Sequence, residues 1–324
     1  NLEVAITYTV LGKVIQKGRG GAPINTLLSL LNNIQTERLS LGKRGNTLEI
    51  KTDNYEAQIP TIPTDDFPLV PKLKNKEQFL EIEAGVIKDA LSQVVIAAQF
   101  SEIKPELNSI LFDFSLDALK LAATDSFRLA EKTVGAAQFK SNYQDGFRIL
   151  VPLKTCHELL RVLGDDEAVR CYHDQNQILF ATDRFEFVSR LVEGNFPDYA
   201  AVVPEKFDAE VVVSREKLAN ALKLTSIFGG QTNEVRVKVE EDKKAMEVSS
   251  ASQEVGKNRY LLPVKTNKGF TEIGFNSHYL LEALKVLKTE EVVLRVNEED
   301  RRPTLVKSPN EASYFYILMP LLKT

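Results

Sequence analysis

Leucine pairs and apolar residues spaced three and four apart recur in three places along the chain. Each time they are followed by two runs that alternate apolar and polar residues, and then by a proline. The segments are INTLLSLLNNIQTERLSLGKRGNTLEIKTDNYEAQIPTIPTDDFP (24–68), LKTCHELLRVLGDDEAVRCYHDQNQILFATDRFEFVSRLVEGNFP (153–197) and NSHYLLEALKVLKTEEVVLRVNEEDRRPTLVKSPNEASYFYILMP (276–320). The switch from a 3.6-residue to a 2-residue period predicts a helix, a strand, a polar turn and a second strand in each. Phe67 and Phe196 both precede proline, 129 residues apart, and Met319 precedes Pro320 a further 123 residues on. So long a period belongs to repeated whole domains, since solenoid repeats run roughly 20–50 residues.

Residues 79–100 and 209–228 each begin as a strand and pass into an amphipathic helix. In the second, Leu218, Leu222 and Thr225 fall on one helical face. Leu119-Lys120-Leu121 and Val235 to Val239 alternate as half-buried strands do. A full unit is therefore strand–helix–strands, twice over, which predicts an α+β fold of three repeated domains with helix pairs on antiparallel sheets. The first unit shows only its second half, so roughly 50 residues are expected to be absent in front of it. The opening Asn1-Leu2-Glu3-Val4, strand-like and without an initiator Met, fits a missing natural N-terminus. Polar, Pro- or Lys-containing connections near Lys72–Lys76 and Pro204–Asp208 place the domains at 1–73, 74–204 and 205–324.

Composition narrows the class. Hydrophobic residues make up 43% and charged residues 27%, as in soluble globular proteins. No apolar run approaches the roughly 20 residues that cross a bilayer, and no signal segment is present. Two cysteines, Cys156 and Cys171, are too few for a disulfide framework, so a reducing cytoplasm is expected. His157, His173 and His278 lack metal-ligand spacing with the cysteines, and neither metal nor cofactor is expected. The net charge of −4 argues against nucleic acid unless the charge is segregated. It is: the predicted helices within 85–99, 153–163, 214–226 and 276–288 together carry +4, leaving −8 elsewhere.

Four local patterns, in register along the whole chain, carry a resemblance. They are LAATDSFRLA (121–130), GNFPDY (194–199), IGFNSHYLLEAL (273–284) and YFYILMPLLKT (314–324). They resemble the bacterial DNA sliding clamp, the β subunit of replicative DNA polymerase. The resemblance implies a non-enzymatic homodimer, closed head-to-tail into a ring around double-stranded DNA with helices lining the hole. It implies as partners the replicative polymerase, the clamp loader and other proteins bearing a clamp-binding motif, and no membrane. Its inward-facing cations here would be Lys88, Lys154, Arg161, Arg215, Lys217, Lys223, Lys285 and Lys288, binding phosphates irrespective of base sequence. One departure is the helix at 24–34, uncharged where the family usually places basic residues, although Lys17 and Arg19 precede it.

The family also docks short peptides in an apolar cleft between its second and third domains. Carried over by motif, that cleft comprises Leu107, Thr124, Ser126, Phe127, Arg128, Leu129, Pro197, Val202, Asn276, Tyr279, Ile317, Leu318, Met319, Pro320 and Leu321. The Leu, Met, Pro and Val side chains would form the floor, with Arg128, Asn276 and Tyr279 as hydrogen-bonding groups at its rim. Read from the residues alone, without the resemblance, ILMPL is a last core strand and its exit rather than a pocket wall. Ser126-Phe127 stands where the family usually shows Gly-His or Gly-Tyr, and Ala201 where it usually shows Arg.

Enzymatic motifs are wanting. No nucleophile elbow, Walker loop or HExxH occurs. Adjacent Cys156 and His157 would point in different directions on a helix, a poor nucleophile–base pair. Asp125 is expected to serve a turn or cap. Gly18-Arg19-Gly20-Gly21 lacks the Lys-Ser/Thr of a phosphate loop. A metal-dependent hydrolase or nuclease using the acidic turn residues Asp165, Asp166, Glu298, Glu299 and Asp300 is the alternative. A clamp-like scaffold that no longer grips DNA is a third.

Overall fold

The computed structural model describes residues 3–35, 38–63, 73, 76–101, 103–164, 167–240, 245–298 and 302–322. The exit at Phe67-Pro68, Lys72, and the acidic residues Asp165, Asp166, Glu299 and Asp300 lie outside them. The chain forms two compact units, Asn1–Lys72 and Leu73–Thr324.

The first unit contains β1 (Val4–Tyr8), α1 (Ile24–Asn33), β2 (Ser40–Arg44), β3 (Thr47–Lys51) and β4 (Glu56–Pro60). β2, β3 and β4 form an antiparallel meander with β4 at one edge. Gly45, at a φ of 55°, makes the tight β2–β3 turn that a side chain would strain. Ile50 and Ile59, with Glu49, are the buried residues of this sheet among those described. Helix α1 buries none of its residues, and Ile24, Leu28 and Leu31 are exposed.

The second unit repeats one plan. Its first repeat is β5 (Leu80–Glu83), α2 (Ala84–Val94), β6 (Ser109–Phe114), β7 (Ala118–Thr124), β8 (Arg128–Gly135) and β9 (Phe139–Ser141). Then come β10 (Phe147–Pro152), α3 (Leu153–Val162), β11 (Ala168–His173), β12 (Gln177–Ala181) and β13 (Phe185–Arg190). Its second repeat is β14 (Ala209–Ser214), α4 (Arg215–Ser226), β15 (Glu234–Val239), β16 (Ala245–Ser252), β17 (Gly256–Pro263) and β18 (Lys265–Thr266). It ends with β19 (Phe270–Asn276), α5 (Ser277–Val286), β20 (Glu291–Val296), β21 (Thr304–Lys307) and β22 (Tyr314–Leu318).

Within each repeat the halves exchange their leading strands. β5 pairs with β11 and β10 with β6; β14 pairs with β20 and β19 with β15. Each helix thus carries the chain from one sheet to the other. The helices pack in pairs, α2 on α3 and α4 on α5. Ala90, Leu91 and Val94 of α2, Cys156 and Leu159 of α3, Leu218 and Leu222 of α4, and Leu280 and Leu284 of α5 are buried. Two of these helices have side-chain caps: Ser214 Oγ accepts from Lys217 N, and Asn276 Oδ1 from His278 N. The α+β class with paired helices on antiparallel sheets is therefore what the periodicity predicts.

Antiparallel pairing of β8 with β22 then fuses the sheets of the two repeats into one, in the order β10-β6-β7-β8-β22-β21-β20-β14-β18. The boundary expected at 204–205 thus falls inside a unit with a continuous sheet.

Beyond β9 an aromatic cluster closes the end of the first repeat. His173 stacks on Tyr143 with ring centroids 5.3 Å apart and packs tilted against Phe147 at 4.1 Å. Its Nε2 is buried and lacks a hydrogen-bond partner among the described residues. Burial lowers its pKa. The unfolded chain takes up the proton near the ordinary value of about 6.5, whereas the folded protein resists it. The stability supplied by the neutral ring is complete above that value and is lost as pH falls through the depressed folded one. In urea titrations at neutral and mildly acidic pH, His173→Phe is expected to lose less stability on acidification than the parent. Equal losses would overturn this account.

Candidate functional site

The junction where β8 meets β22 gathers most of the residues singled out in the four sequence patterns. Arg128 lies opposite Leu318 in the ladder and Leu129 opposite Ile317. The chain then leaves β22 across the junction. Met319 N donates to Phe127 O at 2.8 Å and Leu321 N to Gly274 O at 2.8 Å, so the tail is fastened to both repeats.

The β7–β8 turn is built by Asp125. Its Oδ1 accepts from Phe127 N and Arg128 N, both at 2.9 Å, and its Oδ2 accepts from Arg128 Nε at 2.8 Å. Thr124 Oγ1 donates to Arg128 O at 2.7 Å and accepts from Ser126 N at 3.2 Å. Ser126 sits at a φ of 78°, the left-handed region that favours glycine. The turn leaves Phe127 61% exposed.

Arg128 is the electrostatic centre. Its guanidinium is held by Asp125 and, through Nη1, by Glu282 of α5. It lies over the Tyr279 ring, 4.2 Å from the centroid, a cation–π contact. Burial would by itself lower its pKa, but Tyr316, Glu282 and Asp125 outweigh it and raise the value, so the charge is permanent. Burial pushes the Tyr316 phenol up, and its hydroxyl donates to Tyr279 O at 3.3 Å. Tyr279 is likewise raised, chiefly by burial. Asn276 spends its Oδ1 on the cap of α5, accepting from His278 N at 3.0 Å.

Leu107, Leu129, Ile317 and Leu318 are buried, so they support the surface. The side chains open to a visitor are Phe127 and Val202, exposed, with Pro197 beside Phe196 and the half-buried Thr124, Tyr279, Met319, Pro320 and Leu321. Tyr199, Val203, Phe207 and Phe315 pack against Leu129, Leu305 and Ile317 beneath them. Tyr199 and Glu282 were not singled out from the sequence. Tyr199 donates to Glu131 at 2.6 Å; its place in the FPDY motif was the available signal. Glu282 was legible as the residue three on from Tyr279 on one helix face.

The cations assigned to the helices divide into two kinds. Lys154, Arg161, Lys217, Lys223, Lys285 and Lys288 are exposed. Arg161 is paired with Glu158 at 3.0 Å and Lys288 with Asp89. Arg215 instead donates to Thr289 O at 2.9 Å and Leu284 O at 3.4 Å, fastening α4 to the end of α5. Lys88 donates to Leu163 O at 3.1 Å. At the far end of the β8–β22 ladder a cavity of about 520 Å³ is lined by Lys88, Asp89, Lys132 and Lys288 together with Val86, Val134 and Leu160. Lys132 there is already bound by Glu311 at 2.5 Å. Among the described residues no three His, Cys, Asp or Glu side chains cluster as metal ligands would. Burial pushes the Cys171 thiol up to about 12 and Cys156 higher still, away from nucleophilic chemistry.

Comparison with known proteins gives a consistent result. Residues 81–198 match the family model for the central domain of the DNA polymerase III beta subunit, and residues 200–322 that for its C-terminal domain. The beta sliding clamp of Synechococcus elongatus is 28% identical over 329 residues, covering 99% of this chain and 86% of the relative. A Pseudomonas aeruginosa sliding clamp solved bound to griselimycin superposes with a TM-score of 0.92 at 26% identity, covering 100% of this chain and 87% of that one. The Thermotoga maritima beta subunit gives 0.91 at 25% identity, with the same coverage. The hydrolase alternative finds no support among these matches.

The turn chemistry generates a stability prediction. Asp125→Ala removes two backbone acceptor contacts and leaves a buried guanidinium short of a partner, so a loss of about 2–4 kcal/mol is expected. Ser126→Gly relieves the left-handed backbone and should gain about 1 kcal/mol. Denaturant midpoints check both, and a neutral Asp125→Ala would show that the turn does not depend on the carboxylate.

Proposed function

The chain belongs to the DNA polymerase III beta-subunit family, the DNA sliding clamps, and on that premise we propose how its own residues carry out the clamp's work in DNA replication. Two copies close head-to-tail into a ring around duplex DNA. Each has three clamp domains, at about residues 1–73, 74–204 and 205–324, by the repeat arithmetic. The observation that carries this reading is the pairing of β8 with β22. It joins the third strand after α2 to the third strand after α5. Among the described residues the equivalent strands β17 and β4 are both sheet edges. Paired across a subunit boundary, they repeat the β8–β22 joint, and a repeated heterologous joint closes a ring. Leu261, 56% exposed on β17, is then covered.

The paired helices face the hole. Lys154, Arg161, Lys217, Lys223, Lys285 and Lys288 hold phosphates from their exposed faces, Lys88 adds to them, and Arg215 keeps α4 and α5 aligned. The contact is sequence-independent and salt-sensitive. The β8–β22 junction takes short apolar peptides from polymerase, clamp loader and other partners, with Phe127, Val202, Met319 and Leu321 as apolar walls and Tyr279 held by Arg128. The protein works in the cytoplasm, on the nucleoid, without catalysis or cofactor of its own.

The natural full-length protein is expected to be a dimer by light scattering. It should stay on nicked circular DNA after loading and leave once the circle is cut. Leu261→Asp should shift it toward monomer, and a monomer that binds linear and circular DNA alike would overturn the ring. For the junction, Tyr279→Ala with Met319→Ala should weaken a labelled clamp-binding peptide by about 2 kcal/mol or more, roughly 30-fold, with the dimer intact. Unchanged affinity would remove the junction as the docking site.

A further inference from the structure

We propose that His157 is a DNA-phosphate contact and makes this clamp's grip on DNA depend on pH, an inference that rests on the proposed orientation of α3 toward the hole. Three of the residues on the exposed face of α3 are Lys154, His157 and Arg161, all exposed and spaced three and four apart. That spacing sets them within one narrow stripe, while Thr155, Cys156 and Leu159 point the other way into the core. The chain's other two histidines are engaged: His173 lies in its aromatic stack, and His278 Nε2 is 3.1 Å from Asn233 Oδ1.

The surrounding charges favour this role. On α3 itself Glu158 is bound to Arg161 at 3.0 Å. From α2, Lys88 donates to Leu163 O and Asp89 is bound to Lys288. Both carboxylates already have a cation, so an approaching phosphate meets Lys154 and His157 beside the Arg161–Glu158 pair. Imidazole changes charge between about pH 5 and pH 8, and a nearby phosphate favours the charged ring. DNA binding is therefore coupled to proton uptake at His157.

The test is the affinity of the dimeric protein for a short DNA duplex across a salt series, at about pH 6 and about pH 8. Each phosphate contact steepens the salt dependence by about 0.9 in log units, and a ring holds two His157. A fourfold rise in salt should thus weaken binding roughly tenfold more at the lower pH. His157→Gln should abolish that difference, and His157→Lys should give the steep dependence at both pH values. Lys154→Gln should weaken binding at both. If His157→Gln keeps the full pH difference while Lys154→Gln still weakens binding, α3 faces DNA and the role of His157 is overturned. If neither Lys154→Gln nor His157→Lys alters affinity, α3 does not face DNA, and the orientation falls with the inference.

Discussion

The five-residue antiparallel ladder between β8 and β22 is the constraint on which the rest of the second unit depends. Without it the two repeats would be separate sandwiches, each with an open strand edge of the kind that invites unwanted pairing. With it, one sheet runs from β10 to β18. The ladder also sets the height at which the tail leaves β22, so that Met319 reaches the turn of one repeat and Leu321 the strand β19 of the other. The apolar surface is a consequence of the joint. It exists because two repeats meet there and a third segment crosses the seam.

The same seam explains why a permanent charge sits in it. Arg128 is nearly buried, and a buried guanidinium is tolerable only with its hydrogen bonds met. Asp125 meets them from the same turn and Glu282 from the neighbouring repeat, with Tyr279 stacked below. Every partner but Asp125 lies across the joint. The ion network therefore reports on correct assembly of the two repeats, while leaving the outer face of the junction apolar. For the proposed peptide docking, this means that Tyr279 is already held in place by Arg128, which would lower the ordering entropy that binding must overcome.

Much of this was readable before the fold was known, because it is written in local periodicity. Among the described residues, helices α1 to α5 and the alternating strands follow from spacings of three and four against two, and the exits at Pro197 and Pro320 from the proline that marks them. So does the burial of Leu218, Leu222 and Thr225 on one face of α4. What periodicity cannot carry is pairing at a distance. The exchange of β5 and β10 between halves, and the meeting of Leu318 with Arg128 across 190 positions of sequence, leave no local trace. Burial was likewise hidden: ILMPL is at once a core strand, in Ile317 and Leu318, and a surface exit, in Met319 to Leu321. The side chain of Arg215 was ambiguous for the same reason, since a cation at the first turn of a helix can face solvent or reach back to a neighbouring helix end.

An acidic chain can hold DNA only if its charge is sorted by surface, and the fold supplies the means of sorting. Each helix buries one face against its partner helix and sheet, so its polar residues have a single direction left to take. Many of the carboxylates, by contrast, are on strands, where Glu81, Glu234 and Glu247 are each tied to an arginine or lysine on the same or a nearby strand. Neutralising the sheets in pairs leaves the helices as the place where unbalanced positive charge accumulates. Helix α1 marks the limit of that logic. It has no ionisable residue and no buried one, so it adds neither field nor core. Within this chain the positive surplus of the helices therefore falls to α3 and α4, the larger share on α4, while Glu282 and Lys285 cancel on α5.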